Sequence, residues 1–128
     1  RNVALPAPFG HVSVCGIDDP WTGAPSAGAT FAGAGDVRIY LMHSPGGLFR
    51  LQGERFDVGF AGHTHGGQIA RPDGVPLFKA SGPSSRRYSY GRYDLPDNGT
   101  LLVSCGVGCS GIPLRWNVDP ELLICTLR

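Results

Sequence analysis

The sequence predicts an α/β chain built mostly of strands and loops with short helices. Three observations carry that expectation. Two apolar stretches, Val37-Arg38-Ile39-Tyr40-Leu41-Met42 and Phe56-Asp57-Val58-Gly59-Phe60-Ala61-Gly62, read as strands, and each runs straight into histidine. A short helical pattern around Leu48, Phe49 and Leu51 separates them, and a strand, helix, strand order points to parallel neighbours. Glycine at 20 and proline at 11 of 128 residues fit short elements joined by many turns. The length is one domain's worth of chain with a modest core.

Taken in order, residues 1–10 hold two prolines and no periodicity, and read as a connecting segment. The alternation of His11-Val12-Ser13-Val14-Cys15-Gly16-Ile17 predicts a strand, and Asp18-Asp19-Pro20-Trp21-Thr22-Gly23 a loop. The paired aspartates at that strand end suit a cation or substrate, but such residues more often bond to backbone amides and shape the turn. His11 reads as exposed. Residues 24–36 are small and form at best a poor helix around Ser26 to Ala32, and Asp36 reads as a turn residue. Pro45 stops the ladder after Met42 and leaves His43 at the strand terminus.

The second strand ends at Gly62 and is followed by His63-Thr64-His65-Gly66-Gly67-Gln68-Ile69. On an extended backbone, residues two apart project to the same side, so His63 and His65 are expected to point together. Open α/β sheets bind ligands at such carboxyl ends. Neutral imidazole is the commonest metal-ligating side chain, and the pair reads as half of a metal site. His43, one strand earlier, is then a third candidate ligand.

Beyond residue 69, Ser84-Ser85-Arg86-Arg87-Tyr88-Ser89-Tyr90-Gly91-Arg92-Tyr93 places arginine beside tyrosine. That combination can hold a phosphoryl group or dress an exposed strand and loop. Asn98-Gly99 is a hairpin signal, with Leu101 to Ser104 as the returning strand. The loop from Cys105 to Gly111 lacks the strand-to-helix setting and Gly-Lys-Ser of a nucleotide cradle. A last strand is expected over Leu122-Leu123-Ile124-Cys125-Thr126-Leu127.

Charge is nearly balanced, 11 basic against 10 acidic residues, so no broad field points to nucleic acid or anionic lipid. No apolar run is long enough to span a bilayer. The four cysteines are too few for a disulfide scaffold, and Cys105 and Cys109 alone are a weak zinc signal. They read better as small buried thiols on or beside strands, with a Cys105–Cys109 disulfide as the lesser alternative. Arg1 at the start and a single methionine at Met42 read as the later part of a longer protein, which leaves localisation and oligomeric state open.

The string Ala61-Gly62-His63-Thr64-His65-Gly66-Gly67-Gln68-Ile69 resembles the last signature of the calcineurin-like metallophosphoesterases, in the branch whose motif continues into Gly-Gly-Gln. Leu41-Met42-His43-Ser44-Pro45 fits the family's preceding Leu-x-His-x-Pro string, and the tail from 101 to 127 is also similar. The resemblance implies the C-terminal part of an α/β/β/α sandwich, with residues 1–128 as one portion of a single domain. It implies hydrolysis of phosphomonoesters or phosphodiesters by two divalent ions (Mn, Zn or Fe), with His43 and His63 on one and His65 on the other. It also implies a catalytic position for His63, near the phosphoryl charge. The family's Asp-x-His, Gly-Asp and Gly-Asn-His strings do not occur here in usable form. Two cations about 3.5–4 Å apart need carboxylates to offset their charge, so the fragment alone is expected to be inactive. Two alternatives stand beside this: a non-catalytic interaction scaffold of the same fold, and another His-x-His hydrolase. Against the second, a metallo-β-lactamase relative should carry Asp-His where Gly66-Gly67 follows.

Overall fold

The two stretches that run into histidine become neighbouring parallel strands in the computed structural model, which describes residues 1–78 and 82–127. The strands are β1 (Asn2–Ala4), β2 (Val12–Gly16), β3 (Val37–Leu41), β4 (Val58–Ala61), β5 (Gly91–Asp94) and β6 (Thr100–Val103). They form one sheet in the order β1-β2-β3-β4-β6-β5. The four central strands are parallel and the two edge strands antiparallel to their neighbours. The chain is thus α/β, with a mixed sheet and few helices.

The core lies on one face of that sheet. Cys15, Tyr40, Ala61, Leu101 and Val103 point there and meet Phe31, Leu51 and Phe56. Phe31 comes from helix α1 (Ala27–Phe31), a single turn that forms because Ser26 Oγ accepts the Ala29 N–H at 3.2 Å. Tyr40 stacks between Phe31 and Phe56, with centroids 5.3 Å away on each side, and its hydroxyl donates to the Gly47 carbonyl at 3.0 Å. The expected helix near residue 48 is a 3-10 segment, Pro45–Arg50, opened by its proline.

Three elements differ from the sequence expectation. Residues 2–4 are an edge strand, with Val3 opposite Val14, because β2 offers a free ladder that three residues can fill without visible periodicity. Helix α2 (Pro83–Arg87) is a single turn with proline in its first turn, again too short to show a period. Residues 122–127 are not a strand. Both ladders of β6 are taken, by β4 and β5, so the tail finds no free edge there, and Leu122 and Ile124 stand 83% and 94% exposed. The hairpin does form: Asp94 faces Thr100 and the Leu95 N–H meets the Gly99 carbonyl at 3.2 Å.

The opposite face of the sheet is poorly covered. Ile39, Leu41, Val58, Phe60 and Leu102 alternate with the core positions and remain partly or largely exposed. Leu122 and Leu123 of the tail border only a groove beside Leu41 and Phe60. The chain exposes 7878 Å². A compact monomer of 13.5 kDa exposes roughly 6,500 Å². No helix among the described residues is long and apolar enough to cross a membrane.

Candidate metal centre

Because β2, β3 and β4 are parallel, their carboxyl ends lie along one sheet edge, and the chain leaves each strand there. Asp18 and Asp19 follow β2, His43 follows β3 and His63 follows β4. Bonds continuing past the strands pin these exits: Ile17 N to Leu41 O at 3.1 Å, Met42 N to Phe60 O at 3.0 Å and Gly62 N to His43 O at 3.0 Å. His43 Nε2 and His63 Nδ1 face each other at 3.1 Å.

His63 and His65 do not lie on extended backbone, contrary to the sequence expectation. His63 has φ 71° and His65 φ 49°, with Thr64 right-handed between them at φ −75°. A left-right-left turn, not a pleat, aims the two imidazoles. Positive φ is unfavourable for residues with a Cβ, so the surroundings must hold it. The Thr64 hydroxyl donates to the Ser89 carbonyl, Gly67 N meets Thr64 O at 2.8 Å, and Gln68 N meets His65 O at 2.9 Å.

His43 and His65 consequently open to different clefts, with His63 lining both. One cleft, of about 500 Å³, is walled by Asp19, Trp21, Thr22, His43 and His63. The other, of about 450 Å³, runs past His63, His65, Gln68, Ile69, Phe78 and Ile112. His63 thus joins the two clefts. Burial first, and the neighbouring His43 second, hold the His63 imidazole below its ordinary range, which favours its neutral, ligating form. The Trp21 N–H foremost, with the Thr22 N–H and hydroxyl, holds the Asp19 carboxyl below the usual carboxylate range.

These residues fit a cation in part. A 3.1 Å gap is a hydrogen-bond distance, and it is also the spacing of two nitrogens on one cation with bonds of about 2.0–2.1 Å. His65 Nδ1 is buried with no hydrogen-bond partner, which suits a donor waiting for a ligand. Among the described residues, however, no three His, Cys, Asp or Glu side chains are already drawn together tightly enough to hold a metal. The donor set supplies nitrogens and calls for oxygen ligands to complete it.

Other candidates fall away. Asp36 is a bend before β3, at the opposite end of the sheet from His43. Arg86, Arg87 and Arg92 are exposed, with Arg87 over the Tyr88 ring at 5.3 Å and Arg92 paired to Asp94 at 3.0 Å, so this stretch takes the solvated reading. All four cysteines are free thiols. Cys15 and Cys105 are buried as expected, but Cys109 and Cys125 lie on exposed loops.

No family model and no solved structure matches the sequence. Curated proteins do. The uncharacterized metallophosphoesterase YkuE of Bacillus subtilis is 29% identical over 119 residues, 91% of this chain and 41% of that protein. The uncharacterized metallophosphoesterase Cj0846 of Campylobacter jejuni is 34% identical over 90 residues, 70% of this chain and 22% of that protein. The UDP-2,3-diacylglucosamine pyrophosphatase LpxG of Chlamydia trachomatis is 35% identical over 97 residues, 70% of this chain and 28% of that protein. The chain belongs to the calcineurin-like metallophosphoesterase family. It spans less than half the length of each of these relatives.

One residue of this metallophosphoesterase chain gains a role that its sequence gave no reason to assign. Gln68 Nε2 donates to the carbonyls of Ser110 and Ile112 at 3.2 and 2.8 Å, and its Oε1 accepts the Ser110 N–H at 2.7 Å. It fastens the glycine-rich loop as a wall of the His65 cleft. The Gly-Gly-Gln string marks Gln68 but not its partners, which lie more than forty positions away. Gln68→Ala is expected to cost about 1–3 kcal/mol in urea denaturation and to speed protease cleavage between residues 107 and 112. An unchanged cleavage rate would remove the fastening role.

Proposed function

We propose that this chain carries the histidine side of a two-cation phosphoesterase site, in a protein that hydrolyses phosphomonoesters or phosphodiesters. The observation that supports it most is the facing pair His43 Nε2 and His63 Nδ1, at the carboxyl edge of parallel strands, beside the unpartnered His65 Nδ1. His43 and His63 hold one divalent ion, His65 the other, and the ions are Mn, Zn or Fe. Such an ion pair polarises a phosphoryl oxygen and makes water acidic enough to attack at neutral pH. The chain's own part is to hold neutral nitrogens in place, with His63 between the two clefts and so nearest the phosphoryl group.

Neutral imidazoles bring no negative charge, and two dications about 3.5–4 Å apart repel strongly without carboxylates between them. We therefore read residues 1–128 as the C-terminal portion of one domain whose remaining part supplies carboxylates and a covering layer. Three findings support this reading. The chain covers 22–41% of the relatives' length, one sheet face is left half bare, and the exposed surface exceeds that of a compact chain of its mass. The test is Mn²⁺-supported hydrolysis of bis-p-nitrophenyl phosphate and p-nitrophenyl phosphate, by residues 1–128 alone and joined to the segment before them. Turnover is expected only in the joined form. Steady metal-dependent turnover by 1–128 alone would overturn the reading of this chain as one side of the site.

A further inference from the structure

We propose that Asp19 is this chain's own carboxylate for the cation site, presenting Oδ2 to the ion that His43 and His63 hold. The inference rests on the reading of those two histidines as ligands. It starts from topology: three adjacent parallel strands deliver Asp19, His43 and His63 to one edge, and all three side chains wall the same cleft. Among the described residues that line either histidine cleft, Asp19 is the sole acidic one.

The two oxygens of this carboxylate are used differently. Oδ1 accepts the Trp21 N–H at 2.8 Å, the Thr22 N–H at 3.0 Å and the Thr22 hydroxyl at 3.2 Å. Those bonds, with Gly23 N to Asp19 O at 2.9 Å, close the loop and fix the side chain in one orientation. Gly23 is required for that closure, since a Cβ there would lie 2.9 Å from Asp18 Cβ and 3.0 Å from Asp19 O. Oδ2 is left buried with no partner. If shaping the turn were the whole role, asparagine or serine would serve, and no charged oxygen would need shutting away unbonded. A cation beside His43 and His63 would supply the missing partner, and the carboxylate would bring the negative charge that the neutral imidazoles lack. Asp18 does not duplicate this, being exposed with its Oδ2 on the Ala24 N–H at 3.3 Å.

The test is calorimetric titration of residues 1–128 with Mn²⁺ and with Zn²⁺, in wild type, Asp19→Asn, Asp19→Ser and Asp18→Asn. Asparagine and serine both keep an acceptor for the Trp21 and Thr22 N–H groups, so the loop stays closed. Melting temperatures in EDTA should match wild type, while the metal-induced rise in melting temperature shrinks. Metal affinity is expected to fall about 10- to 100-fold in both Asp19 variants, the range for removing a group that supports a metal site, and to hold in Asp18→Asn. Wild-type affinity in folded Asp19→Asn or Asp19→Ser would overturn the inference and leave the histidine site standing. Absence of any wild-type binding, or binding that survives His43→Ala and His63→Ala together, would overturn both.

Discussion

His65→Ala, made in residues 1–128 joined to the N-terminal portion that the proposed function calls for, is expected to lower kcat for a phosphodiester by about 10³-fold or more while leaving the fold intact. The two halves of that expectation come from different atoms. His65 Nδ1 makes no hydrogen bond, so truncation breaks no contact of that nitrogen. The turn around it is held by backbone bonds and by Thr64, none of which uses the imidazole. Loss of one of two cations, however, removes half of the clamp on the attacking and departing oxygens, and 10³-fold corresponds to about 4 kcal/mol of transition-state stabilisation. Kinetics and thermal melting on the same preparation separate the two. Activity within tenfold of wild type would take His65 out of the site, and a collapsed melting curve would make it a packing residue instead.

Gly67→Ala is expected to show a large stability loss, roughly 2–4 kcal/mol and about 10 °C in melting temperature. Gly67 adopts φ 81°, where an alanine is already strained. Its added Cβ would sit 2.4 Å from the Phe78 carbonyl oxygen and 2.4 Å from Pro76 Cβ. Backbone cannot yield there without moving the wall of the His65 cleft. Gly53→Ala is the comparison that isolates the clash: its φ is 91° but nothing lies within 4 Å of the new Cβ, so only the conformational cost of about 1–2 kcal/mol applies. Urea denaturation of both variants checks the difference. Equal losses would mean that the second glycine after His65 matters for backbone freedom alone and not for close approach.

What could be read from the sequence, and what could not, follows from the range of each interaction. β3 and β4 were legible because four or five alternating apolar residues on a buried strand leave a pattern, and the histidines after them inherit the strands' shared edge. The β5–β6 hairpin was legible from Asn98-Gly99. β1 and α2 span three and five residues and are set by partners far along the chain, so no local window contains their cause. Residues 122–127 carry a strand's composition, but composition does not say whether a free ladder exists, and β6 offers none. At the site, residue types and order were legible while the aim of the side chains was not. Positive φ at both His63 and His65 defeats period-two reasoning. Asp19 was only half legible: its turn-shaping oxygen follows from the Asp-Pro loop, and its spare oxygen appears only once β2 is seen beside β3.

The most direct measurement of the central claim is a nitrogen-15 titration of the imidazoles in residues 1–128 with Zn²⁺, which is diamagnetic and accepts nitrogen ligands. His43 Nε2 and His63 Nδ1 are expected to shift together along one saturating curve, while the exposed His11 stays still. Saturation that moves His11 alone, or leaves His43 and His63 unshifted, would contradict the claim.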